Sequence, residues 1–170
     1  MFGQWRRGHP APSAAPVPPQ QDPSPDSAAS DTDALAADLK ALIRRVNAAG
    51  GRLPVGAVPA VRAIEDRLRP LLTYLAGQPP RSEVLRRISA VIREYLPEAV
   101  DAYLMLPARY ATAPSSPAGT TPADDLLAQL TRLTEAADQL QGDVYEHDAR
   151  QLAIQRQFLD SKFHRSELDL

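Results

Sequence analysis

Apolar side chains recur every three or four residues through four segments of this chain, and no stretch of strand length alternates with a period of two. Steps of three and four stack side chains on one face of an α-helix, whereas a half-buried strand needs strict alternation. Leu35, Leu39, Leu42, Ile43 and Val46 mark the first stripe, and Val61, Ile64, Leu68, Leu71, Leu72 and Leu75 the second. The third runs Leu85, Ile88, Ile92, Leu96, Ala99, Tyr103 and Leu106, widened by Val84, Val91, Tyr95 and Val100. The fourth carries Leu126, Leu130, Leu133, Ala137, Leu140 and Val144, then shifts to Tyr145, Ala149, Leu152, Leu159 and Phe163. The pattern predicts an all-α fold: a bundle of about four helices over 32–49, 58–76, 82–106 and 122–164, the last long and coiled-coil-like.

Helix punctuation sharpens these bounds. Asp31, Thr32 and Asp33 offer side-chain oxygens to cap the first helix, and Gly50-Gly51 stop it. Pro59 suits the first turn of the second helix, which ends at Gly77 before Pro79-Pro80. Ser82 is the expected cap of the third, and Pro107 its end. Pro70 and Pro97 fall on polar faces, where water can satisfy the freed carbonyls, so both read as kinks. Residues 107–121 read as a loop, after which Thr121, Pro122 and Asp124 form a capping-box start. Gly142 marks either a stutter or a short break. A helix continuous from 122 to 163 is about 63 Å long, against about 38 Å for the third. The first two helices are expected to cover the remainder, which favours a monomer over a homodimer. If they do not, Phe158 and Phe163, with Leu152 and Leu159, form an exposed patch for a partner protein.

Seven of the 17 prolines lie in the first 30 residues, among alanine, serine and glutamine. With so little to bury, residues 1–30 are expected to be a disordered tail and 31–170 the folded unit. Prolines interrupt any apolar run after Arg6 and Arg7, so the segment is no secretory signal. Phe2, Trp5, Arg6 and Arg7 still form a small group of anchor-type residues. They are candidates for docking a protein partner or for weak contact with a membrane surface, but too few for a stable membrane anchor.

Composition removes several function classes. The chain has no cysteine, hence no disulfide, thiolate metal site or cysteine nucleophile. A net charge of −2, with arginines spread among acids, gives no basic footprint for nucleic acid. No run approaches the roughly 18 apolar residues of a membrane span. Glu146, His147 and Asp148 are consecutive and so point about 100° apart on a helix, while His164 lies about 25 Å further along. No metal site is expected from them. Glu94, Glu98 and Asp101 read as a solvated strip rather than a general acid and base. No GxSxG elbow, GxGxxG or Walker loop occurs, so neither catalytic nor cofactor-binding residues are assigned. Glu65–Arg69 and Glu83–Arg87 are acid-before-base pairs at i, i+4, worth about a few tenths of a kcal/mol each and given no functional role.

The phrase YLPEAVDAYLMLPARYA, residues 95–111, resembles that of a group of uncharacterised bacterial helical proteins. A second phrase of that group has its counterpart in Asp148, Leu152, Phe158, Leu159, Lys162 and Phe163. More distantly, both phrases are similar to the 5-bromo-4-chloroindolyl phosphate hydrolysis family. The resemblance spans about residues 82–163 and implies packing roles for both phrases. It also implies a bacterial protein linked to toxic-anion resistance or envelope stress, though the chain lacks a membrane segment. The first expectation is therefore a non-catalytic cytoplasmic scaffold or adaptor with an unidentified protein partner. The alternatives are an enzyme or accessory factor for phosphate-type substrates, and a peripheral membrane protein docking through its N-terminal tail.

Overall fold

The computed structural model describes residues 25–114 and 119–166, with side chains over 29–114 and 119–163. Six α-helices follow in order: α1 (Pro25–Ala48), α2 (Ala57–Ala76), α3 (Ser82–Ala90), α4 (Leu96–Leu104), α5 (Ala108–Ala111) and α6 (Pro122–Ser166). A π-turn, Val91–Tyr95, joins α3 to α4 without interruption, and a 3₁₀ turn, Gly50–Arg52, follows α1. No strand occurs among the described residues, so the all-α expectation holds.

Helix α1 packs on α2, α2 on α6, and α6 on the α3–α4 helix, which closes back on α1. Cross-helix bonds set the directions. Arg93 Nε and Asp38 Oδ2 meet at 2.7 Å, and Arg45 Nη1 and Asp101 Oδ2 at 2.9 Å, so α1 and α3–α4 run parallel. Arg67 pairs with Asp138, and Tyr74 with Asp148, so α2 and α6 also run parallel. The interior is filled by the four stripes: Ile64, Leu68, Leu71, Ile88 and Leu130 have no exposed surface at all. Leu96 and Tyr103 lie in this core, as expected.

Several boundaries differ from the sequence expectation, each for a local reason. Helix α1 starts at Pro25, so residues 25–30 are helix and not tail. Proline fits a first turn, where its missing N–H costs nothing. Thr32 is therefore inside the helix rather than at its cap. Its hydroxyl donates back to the Ala29 carbonyl at 2.9 Å, and the residue is buried. At α2 the reversal is made by Gly56, whose φ of 99° suits a residue without Cβ. Ser82 does not cap α3; Arg81 holds that position, with no side-chain cap bond. The capping box at α6 forms as read: the Asp124 amide donates to Thr121 Oγ1 at 3.2 Å, and the Thr121 amide to Asp124 Oδ2 at 2.9 Å.

The two internal prolines are accommodated differently. Pro70 sits exposed within an unbroken α2. Pro97 follows the π-turn, where the Leu96 amide reaches five residues back to the Val91 carbonyl. The expected kink at Pro97 is thus a widened turn that holds one additional residue. The count shows in the ion pairs: Asp38 and Arg45 are seven residues apart on α1, but their partners Arg93 and Asp101 are eight apart.

Beyond α4 the loop contains the single turn α5, which buries Ala111. Tyr95 and Leu106, read as core, are exposed: Tyr95 lies in the widened turn, and Leu106 lies past the end of α4. The expected pair of Glu65 with Arg69 forms, but Glu65 is buried and also accepts from Arg62 Nη1 at 2.9 Å; Glu83 pairs with Arg86 instead of Arg87.

The largest correction concerns α6. It runs unbroken through Gly142, without stutter or gap, yet Val144 is the last buried one among its described side chains. All side chains from Ala149 to Phe163 are exposed. Helices α1 and α2 do not cover them, because α2 spans only about 30 Å of a helix some 67 Å long. The core roles expected for Leu152, Leu159 and Phe163 are not realised among the described residues, and the ground for preferring a monomer goes with them.

Candidate functional site

The point where α6 leaves the bundle is held by a polar clasp. The Tyr74 hydroxyl, near the end of α2, donates to Asp148 Oδ2 at 2.6 Å. Arg81, at the start of α3, donates to Asp148 Oδ1. The Tyr74 ring meets the Tyr145 ring edge-on, with centroids 5.1 Å apart and an interplanar angle of 88°. That arrangement is the favoured one for an aromatic pair. Three elements thus converge on one carboxylate, and α6 departs from the bundle as a continuous helix rather than a loose end.

The electrostatics are those of a structural tie. The Tyr74 hydroxyl, and then the Arg81 guanidinium, hold the Asp148 carboxyl below its ordinary value. The same bond to Asp148 pushes the Tyr74 hydroxyl above its own. Both groups move away from neutrality, the reverse of what acid–base catalysis at neutral pH requires. A lowered carboxyl stabilises the fold above its unfolded value near about 3.9 and loses that contribution as pH falls through the folded value. A raised tyrosine stabilises below about 10 and loses its contribution as pH rises through the folded value. Asp148→Asn is therefore expected to lower the melting temperature at neutral pH. Circular dichroism melts from acid to alkali will also show a shallower pH dependence than the parent. A parallel displacement of the whole pH profile would show that the clasp does not titrate as described.

Beyond the clasp lies an arm about 27 Å long, from Ala149 to Ser166. Leu152 is 69% exposed, Ile154 and Phe158 61%, and Phe163 64%. Ala149, Leu152, Ala153 and Leu159 line an open concavity of about 620 Å³ along one side, with Gln155 and Arg156 at its edge. On the neighbouring face, Lys162 Nζ lies 6.0 Å from the centre of the Phe158 ring. Phe158 and Phe163, the partner-docking candidates of this segment, thus stand on one solvent-facing helix.

The other candidates are dispersed. Phe2, Trp5, Arg6 and Arg7 lie outside the described residues, as does the side chain of His164. Of the acidic strip, Asp101 binds Arg45 across the bundle, while Glu94 and Glu98 face outward. Glu146 turns to Arg150 at 3.5 Å and Asp148 turns inward to the clasp, so the triplet does not converge. No group of three or more histidine, aspartate or glutamate side chains suited to a metal occurs among the described residues. No helix among them is long and apolar enough to cross a membrane. Tyr74 and Arg81 were not legible as site residues. They lie 74 and 67 residues from Asp148, and neither belongs to an apolar stripe or a motif.

Fold and site together define a four-helix bundle whose last helix extends past the core as an amphipathic arm. The chain matches no family, no curated protein and no solved structure.

Proposed function

We propose that this protein is a non-catalytic helical scaffold or adaptor whose bundle presents the distal half of α6 as a docking arm for protein. One observation carries the reading. Large apolar side chains stand 41–69% exposed along a helix that is clasped at its root and, among the described residues, has no neighbour beyond it. Contiguous exposed apolar surface of this kind marks interaction sites on soluble proteins. A bacterial cytoplasmic setting linked to toxic-anion or envelope stress rests on the resemblance carried by residues 95–111.

The reading makes the arm dispensable for folding. A chain ending after Ala149 is expected to unfold cooperatively within a few degrees of the full chain, followed by circular dichroism, since no core residue is removed. Loss of the cooperative transition in the shortened chain would make the arm part of the fold and overturn the reading.

A further inference from the structure

We infer that the occupant of the arm is the arm of a second copy of this chain, laid antiparallel across it. The inference rests on the docking-arm reading and commits it to one partner. The exposed seam Tyr145, Ala149, Leu152, Arg156, Leu159 and Phe163 steps alternately by four and three, the spacing at which two helices interlock. An antiparallel overlap centred on Ile154 sets Tyr145 opposite Phe163 of the second copy and Ala149 opposite its Leu159. Leu152 then faces Arg156 of the second copy, whose methylene stem can cover it. Small meets large at the alanine layer, and the two-fold axis closes the assembly, so no further copies are recruited.

Layer size and the avoidance of like charge at Arg156 select this orientation. At the root, Asp143, Glu146 and Asp148 each face an arginine of the same chain, Arg87, Arg150 and Arg81, whereas Arg156 and Lys162 lie further out on the arm. The one acid of the outer stretch up to Phe163, Asp160, lies 3.8 Å from Arg156 of its own helix. Antiparallel pairing sets Glu146 opposite Lys162 of the second copy. Parallel pairing would stack Arg156 on Arg156 and face two alanines across a gap at residue 149. It would also force the two bundles side by side at one end, whereas the antiparallel pair holds them at opposite ends.

The absence of cysteine makes orientation directly measurable. By sedimentation equilibrium at tens of micromolar, the full chain is expected to be a dimer. Leu159→Asp is expected to leave a monomer with the parent's helicity, since Leu159 is 41% exposed and outside the core. A mixture of Ala149→Cys and Leu159→Cys chains should oxidise to the heterodimeric disulfide, whereas Leu159→Cys alone should not cross-link. Self-linking of Leu159→Cys would overturn the antiparallel arrangement while leaving the arm as a docking surface. A full chain that stays monomeric would overturn the second copy as occupant. Co-sedimentation of that monomer with phosphatidylglycerol vesicles, abolished by Leu159→Asp, would assign the arm to lipid instead. A dimer that persists after removal of residues 150–170 would overturn both the pairing and the docking-arm reading.

Discussion

Leu96→Ala is expected to lower the unfolding free energy by about 2–5 kcal/mol, the range for deleting a fully buried leucine side chain. Leu96 is 1% exposed and is the first residue of α4, immediately after the widened turn. The Leu96 amide makes the five-residue bond of that turn, so backbone and side chain are both held. Restricted relaxation leaves a cavity rather than a collapsed core, which places the cost away from the low end. The measurement is chemical denaturation with a matched control at Leu152→Ala. That substitution makes the same chemical change on the exposed arm and should cost less than about 0.5 kcal/mol in the monomer. Equal losses at the two positions would mean that burial does not distinguish the bundle from the arm.

Deleting Glu94 is expected to cost about 3 kcal/mol or more, and the same deletion combined with Pro97→Ala to recover most of that loss. Glu94 is exposed within the π-turn, so its side chain supplies no packing. Its removal takes out the residue by which Arg93–Asp101 exceeds Asp38–Arg45, and an ordinary α-helix would then satisfy both ion pairs. The ring of Pro97 forbids this. In the narrower turn it lies against the carbonyl four residues back, now that of Ile92, and it has no N–H to donate. Alanine at position 97 removes both obstacles. A double variant as unstable as the single deletion would show that the turn does not exist to accommodate the proline. A harmless single deletion would show that the helix tolerates either register.

Most of the fold was legible because helix formation and burial leave a periodic trace in the sequence. The stripes of α1, α2 and the first half of α6 appear in the structure as the core, and Thr121, Pro122 and Asp124 mark the start of α6 as read. These features depend on residues a few positions apart. Thr32 and Ser82 show where such reasoning stops: an oxygen able to cap an amide also fits a helix interior or a first turn. Pro97 shows it again, since proline announces a lost hydrogen bond but not whether the helix bends, breaks or widens.

The site was half visible. Phe158 and Phe163 were recognised as exposed anchors if nothing covered them; five residues apart, they stand on different faces, and only Phe163 continues the stripe of Leu152 and Leu159. An amphipathic stripe records that a face seeks cover, but the cover itself comes from elsewhere. The lengths and directions of the neighbouring helices decide it, and no residue on α6 encodes those. Helix α2 ends at Ala76, and the chain turns into α3 through Arg81, which swings onto Asp148 and closes the bundle there. Periodicity alone dictates an all-α chain with one overlong helix. Only the packed structure decides that the apolar core on α6 stops at Val144 among the described side chains, because burial belongs to pairs of helices and not to the sequence of one.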